Sequence, residues 1–292
     1  MSFYDDFINL YFPVFLIIIT LSLTIDLVKI LFKNKLSKYW EVDDERLKTI
    51  KQSDQFYLEY CSNPIEYFHF KYKYQEYKLM FYSGSIYLII LFSIIKLYFP
   101  NFYSYLKTQK YSYLNLIYRI LITIFINMTL YLGNIVQIIN GNEKLGKVPI
   151  FIYFIEQIYS PILEESVFRG IIMNIFRYNG YSNLFSGFMN SILFGIIHFR
   201  HLFDKYIINK PLNLIIFQSL YTSFFGFYSS YIYNYSNCII SSIILHGTCN
   251  LLSFPKLNYL KDKRISEDKK YFFSFCFIFG ILGFIFEIYY FR

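Results

Sequence analysis

Three short constellations in the second half of this chain have the residue types and spacing for acid–base chemistry. Within the apolar stretch PILEESVFRG (161–170), Glu164 and Glu165 are adjacent and Arg169 follows four residues after the second. On a helix Glu165 and Arg169 share a face as an i, i+4 pair, whereas Glu164 is turned about 100° away. One carboxylate is then neutralised by the guanidinium while the other stays available. Phe194 and His198 repeat the i, i+4 spacing in FGIIH, with Arg200 and His201 just beyond, and His246 and Asn250 repeat it in HGTCN. Three of the four histidines fall in these stretches and only His69 lies outside them. A carboxylate and two imidazoles converging in a shielded cavity make a water-activating site. Such a carboxylate accepts and returns a proton near neutral pH, and an imidazole and the Asn250 amide can donate to a developing oxyanion. These are the components of peptide-bond hydrolysis without a covalent intermediate.

Other readings of the same residues stay open. Glu165–Arg169 alone is most simply a structural ion pair. A single His or Asn in a membrane helix is commonly a packing residue, and ion or proton transport also places Glu and His inside a bundle. Cys249 lies between His246 and Asn250 without sharing their face, which argues against a thiol nucleophile. The sequence has no HExxH, GxSxG or P-loop.

The elements that must position these residues are membrane helices. Of 292 residues, 55% are hydrophobic and 16% charged, against about 25% charged in a soluble domain. Aromatics make up 23%, and alanine is absent, so close helix contacts must rest on Gly and Ser. A crossing helix needs about 20 apolar residues, which places spans near 10–32, 79–99, 114–140, 149–176, 183–199, 212–234, 238–253 and 271–290. The fold expected is all-α: a polytopic integral membrane bundle of about eight helices, forming a single domain over 1–292. The first span is expected to be retained as an anchor, because Asp5 and Asp6 stand where a signal peptide would be basic. The 33–78 segment is expected as a cytosolic loop whose aromatic and basic stretch 67–82 suits an interfacial helix.

One set of alternating loops carries most of the basic residues, including Lys33, Lys48, Lys71, Lys144, Arg200, Lys263 and Arg264, whereas the other holds Lys107, Lys110, Arg177 and Arg292. The positive-inside rule then puts the 33–78 loop in the cytosol. The net charge of +8 serves membrane orientation and not nucleic-acid binding. Cys61, Cys238, Cys249 and Cys276 form no CxxC pair and are expected as free thiols.

EExxxR, FxxxH and HxxxN, in that order on successive membrane helices, resemble the CPBP intramembrane protease family, and within it the type II CAAX prenyl proteases. Pro161, the FGIIHFRH run, FQSLYTSFFGFYSSYIY (217–233) and HGTCNLLSFP (246–255) extend the likeness, which covers a catalytic core at about 155–256. The resemblance implies a multi-pass enzyme of the endoplasmic reticulum membrane, with its site open to the cytosol. Its substrates would be prenylated CAAX proteins such as Ras-type small GTPases, which lose the three residues after a farnesylated or geranylgeranylated cysteine. It implies that Glu164 and His198 activate the water, and that His246 and Asn250 stabilise the oxyanion. Glu165 and Arg169 would support the site and Phe194 would pack beneath His198. No cofactor is expected. Zinc is the alternative, with Glu164, His198 and His246 as a His₂Glu ligand set. A CPBP-type protease acting on unprenylated peptides and a non-enzymatic transporter or scaffold are the competing functions. Arg200 departs from the pattern, where a small or histidine-like residue is expected.

Overall fold

Long apolar runs in a chain without alanine satisfy their backbone groups internally, and every regular element among the described residues is helical. The computed structural model describes residues 10, 12–31, 64–102, 113–142, 149–199, 211–252 and 257–290. Nine helices follow in order among these residues. They are α1 (Phe12–Leu31), α2 (Pro64–Tyr98), α3 (Tyr113–Leu130), α4 (Leu132–Ile139), α5 (residues 150–178), α6 (Asn183–His198), α7 (Leu212–Ser236), α8 (Ile239–Leu252) and α9 (Glu267–Tyr290). Helix α5 is a composite in which two π-helical turns, Ile155–Tyr159 and Ser166–Ile172, alternate with the α-helical segments Ile150–Phe154, Ser160–Glu165 and Met173–Tyr178.

Among the described residues two stretches are long and apolar enough to cross a membrane, Tyr77–Tyr98 and Glu267–Tyr290; the pair Leu114–Leu130 and Leu132–Ile139, bent by 70°, makes a third if it is one span. The expected count of eight is therefore not reached on length and composition. Helices α6 and α8 are only 16 and 14 residues long. Helix α7 is long enough at 25 residues, but Gln218, Ser219, Thr222, Ser223, Ser229, Ser230 and Asn234 dilute its apolar character. The 67–82 stretch belongs to one 35-residue helix that runs on into the span. Residues 33–63 of the expected loop, with Cys61, Arg200 and His201, lie outside the described residues. Cys238, Cys249 and Cys276 are buried free thiols.

The chain divides into two compact units. The first comprises Met1–Gln109, Lys147–Ile155 and Ile171–Gly226. In it α1 packs along α2 and also touches α6; Tyr87 is fully buried and donates its hydroxyl to the Ile17 carbonyl at 3.1 Å. Ser182 caps α6 by accepting from the Phe185 N–H at 3.2 Å. Gly195 and Gly226 set how closely α6 and α7 approach. A Cβ on Gly195 would overlap the Ser223 side chain and lie 2.9 Å from the Ser219 carbonyl, and one on Gly226 would lie 3.2 Å from the Ser191 Cα.

The second unit comprises Lys110–Gly146, Glu156–Gly170 and Phe227–Arg292. Here α9 packs on α3 and α4, and α8 packs on α3 and on the Ser160–Glu165 segment. Gly133 faces the Phe277 ring, and a Cβ on Gly280 would come within 2.6 Å of the Thr129 carbonyl. Glu287, an acid near the end of α9, accepts from the Thr129 hydroxyl at 2.9 Å. Tyr259 stacks on Phe277 with ring centroids 6.0 Å apart.

The glycine contacts carry a prediction. Gly195→Ala is expected to cost about 1–3 kcal/mol through overpacking, lowering the apparent melting temperature in detergent by several degrees. Ile196→Ala, at a position half exposed (50%) on the same helix, is the control and should change it little. Equal melting temperatures for the two variants would contradict a close α6–α7 packing.

Candidate active site

The site residues of the second unit are organised by an irregularity in α5. Pro161 has no N–H to return to the carbonyl four or five positions earlier, which are those of Gln157 and Glu156. The helix widens into the π-turn Ile155–Tyr159 at that point, a device that recurs at functional sites. Both carbonyls turn to α8 for company. Asn250 donates its side-chain Nδ2 to the Glu156 carbonyl at 2.8 Å, and Gly247 lies against the Gln157 carbonyl, which a Cβ would approach to 2.5 Å. The glycine beside His246 is what lets α8 come this close.

Glu165 forms the centre of the cluster. Its Oε1 accepts from Arg169 Nη1 at 3.0 Å and from His246 Nδ1 at 2.8 Å, and its Oε2 accepts from the Ser229 hydroxyl at 2.9 Å. Glu165 and Arg169 are both fully buried. A buried ion pair of this kind persists only when further hydrogen bonds satisfy its remaining lone pairs, and Ser229 and His246 supply them. The carboxylate accepts, so Nδ1 of His246 carries the proton and Nε2 is the nitrogen presented away from Glu165. Glu164 does not share this role. It is half-buried and acts electrostatically on Arg169 from the neighbouring helical position.

The first unit holds His198 at the last turn of α6. Its Nδ1 lies 2.7 Å from the Phe194 carbonyl, which can only accept, so the proton again sits on Nδ1 and Nε2 is the unprotonated nitrogen. The Phe194 ring lies 4.8 Å from the imidazole and 6.1 Å from Phe225, and Phe194 is itself buried. The chain thus presents two imidazoles whose Nδ1–H is spent on oxygen and whose Nε2 is directed elsewhere. Metal-ligating histidines share that pattern. Among the described residues, however, no group of three or more His, Cys, Asp or Glu is placed to hold a metal ion.

Three participants escape a reading of the motifs alone. Ser229 lies 64 residues from Glu165, and its only sequence signal is the serine-rich stretch 217–233. Glu156 contributes a main-chain atom and so carries no side-chain signature. Gly247 is legible only as the small residue next to His246.

Comparison with known proteins bears on the same segment. Residues 146–252 match the family model described as Type II CAAX prenyl endopeptidase Rce1-like. The chain is 29% identical over 106 residues to a probable CAAX prenyl protease 2 of Schizosaccharomyces pombe, covering 34% of this chain and 39% of that protein. It is 27% identical over 133 residues to CAAX prenyl protease 2 of Arabidopsis thaliana (44% and 40%), and 27% identical over 105 residues to that of Homo sapiens (34% and 31%). The match spans two fifths or less of each relative's length. No solved structure matches the chain. The likeness drawn from the motifs is thus borne out over the segment that carries them.

The Glu165 cluster makes a stability prediction. Glu165→Gln keeps the side chain's shape but leaves the buried Arg169 uncompensated, at a cost of about 3–5 kcal/mol. Ser229→Ala removes one charge-assisted hydrogen bond and costs about 1–3 kcal/mol. Thermal unfolding of the purified protein in detergent should rank Glu165→Gln well below Ser229→Ala and both below the unaltered chain. A Glu165→Gln variant as stable as the parent would show that the carboxylate does not organise the cluster.

Proposed function

We propose that this chain is an integral membrane endopeptidase that cuts after the prenylated cysteine of CAAX proteins and releases the last three residues. Its substrates are farnesylated or geranylgeranylated proteins, Ras-type small GTPases among them. It works in the endoplasmic reticulum membrane with its site open to the cytosol. The observation that carries the reading is the match over residues 146–252 to a type II CAAX prenyl endopeptidase. That segment contains Glu164, Glu165, Arg169, Phe194, His198, His246 and Asn250 in motif order.

The chemistry follows from which atoms are available. Glu164 and His198 take the proton of the attacking water; the unprotonated Nε2 of His198 suits it to accept, because Nδ1–H is given to Phe194. The water oxygen bonds to the scissile carbonyl carbon and the carbonyl oxygen becomes an oxyanion. His246 can donate to that oxyanion from Nε2 only as an imidazolium, since its Nδ1–H points to Glu165. Arg169 and Ser229 hold the buried Glu165 carboxylate in place against that ring. Asn250 has two amide protons; one is used on Glu156 and the second remains for the oxyanion. The C–N bond then breaks, and the proton taken from water passes to the departing tripeptide's amine.

In membranes containing the protein, a farnesylated CAAX peptide is expected to be cleaved and the same peptide without the prenyl group to be left intact. Glu164→Ala and His198→Ala should each lower the rate by about 10²–10⁴-fold, the range of a lost general acid or base. Cleavage of bare and prenylated peptides alike would make this a peptidase without prenyl selectivity. Cleavage of neither would favour a transporter or scaffold. A metal chelator is expected to leave the rate unchanged; loss restored by zinc would instead assign Glu164, His198 and His246 as ligands.

A further inference from the structure

The π-turn that orients Asn250 contains a second group whose chemistry the peptidase reading leaves unused. Gln157 follows Glu156 directly, and its main-chain carbonyl packs against Gly247. Its side-chain oxygen, Oε1, is buried and has no hydrogen-bond partner among the described residues. A buried carbonyl oxygen without a donor loses its hydration and gains nothing in return, so native structures pair nearly all of them. An exception calls for a cause, and a functional role is one of those known. Gln157 is next to Glu156, whose carbonyl Asn250 bonds, and its own main-chain carbonyl lies against Gly247, the neighbour of His246.

We propose that Gln157 is a substrate-binding residue whose Oε1 accepts a main-chain N–H from the three-residue tail of the substrate. The role rests on the peptidase reading and deepens it. Peptide substrates always bring main-chain N–H groups, whatever their side chains. A carbonyl that reads the main chain therefore fixes the register of the tail against Asn250 and His246 while tolerating different residues within it. This separates two tasks, because the prenyl group is recognised by its apolar chain and the tail by its backbone. Gln157 positions the substrate and exchanges no proton with it.

The test combines an altered enzyme with an altered substrate. Farnesylated peptides are made with an ester in place of either amide between the three tail residues, which deletes one N–H at a time. Steady-state cleavage is measured with the unaltered chain and with Gln157→Leu. The expected result is a KM raised 5–20-fold in Gln157→Leu with kcat within twofold, and a similar rise for the unaltered chain on one of the two esters. On that ester Gln157→Leu should show no further rise, because the bond is already absent. A purely structural role would lower kcat or stability and leave the ester penalty the same in both enzymes. Should Gln157→Leu fold poorly, Gln157→Ala is carried through the same cycle. A KM within twofold of the parent, or an equal ester penalty in both enzymes, would overturn the role while leaving the peptidase standing. An unaltered chain that cleaves no farnesylated peptide would remove the peptidase function, and this role with it.

Discussion

A fully buried carboxylate, Glu165, is the constraint on which the second unit's site depends. An unpaired charge in that position would cost several kcal/mol, so the surrounding residues are arranged to answer it. Arg169 supplies the opposite charge from the next helical turn, Ser229 the bond to the second oxygen, and His246 a second bond to the first. The last contact fixes the tautomer of the imidazole. The carboxylate of the ion pair is thus also the hydrogen-bond partner of His246.

The other constraint is backbone supply. Pro161 withholds an N–H from the start of the Ser160–Glu165 segment, the helix opens into a π-turn, and the freed carbonyls are met by Asn250 and by the bare Cα of Gly247. Without alanine, glycine and serine do the close packing throughout. Gly195 against Ser223 in the first unit and Gly280 against the Thr129 carbonyl in the second use the same solution.

Much of this was legible in the sequence, and for identifiable reasons. The all-helical fold follows from the apolar runs, and the Glu165–Arg169 and Phe194–His198 pairs follow from helical periodicity, which relates residues four apart. What periodicity cannot reach is contact between helices. Periodicity pairs Glu165 with Arg169 but does not reach His246, 81 residues away, or Ser229 on a third helix. The π-turns were hidden because a helical pattern looks continuous across one extra residue. Hydropathy marks apolar stretches without fixing where each helix starts and stops. Short helices such as α8, and α7 with its many serines, do not meet the length and composition that Glu267–Tyr290 meets.

If Glu165 acts on the reaction through His246, the two residues form one unit and their losses do not add. The decisive measurement is a double-mutant cycle on kcat/KM for a farnesylated CAAX peptide, using Glu165→Gln, His246→Ala and the pair in purified protein confirmed to be folded. Coupling predicts that the double variant is no slower than His246→Ala alone. A double variant slower by the product of the two single losses would show that Glu165 serves the site independently of His246, and would contradict the relay from Arg169 through Glu165 to the imidazole.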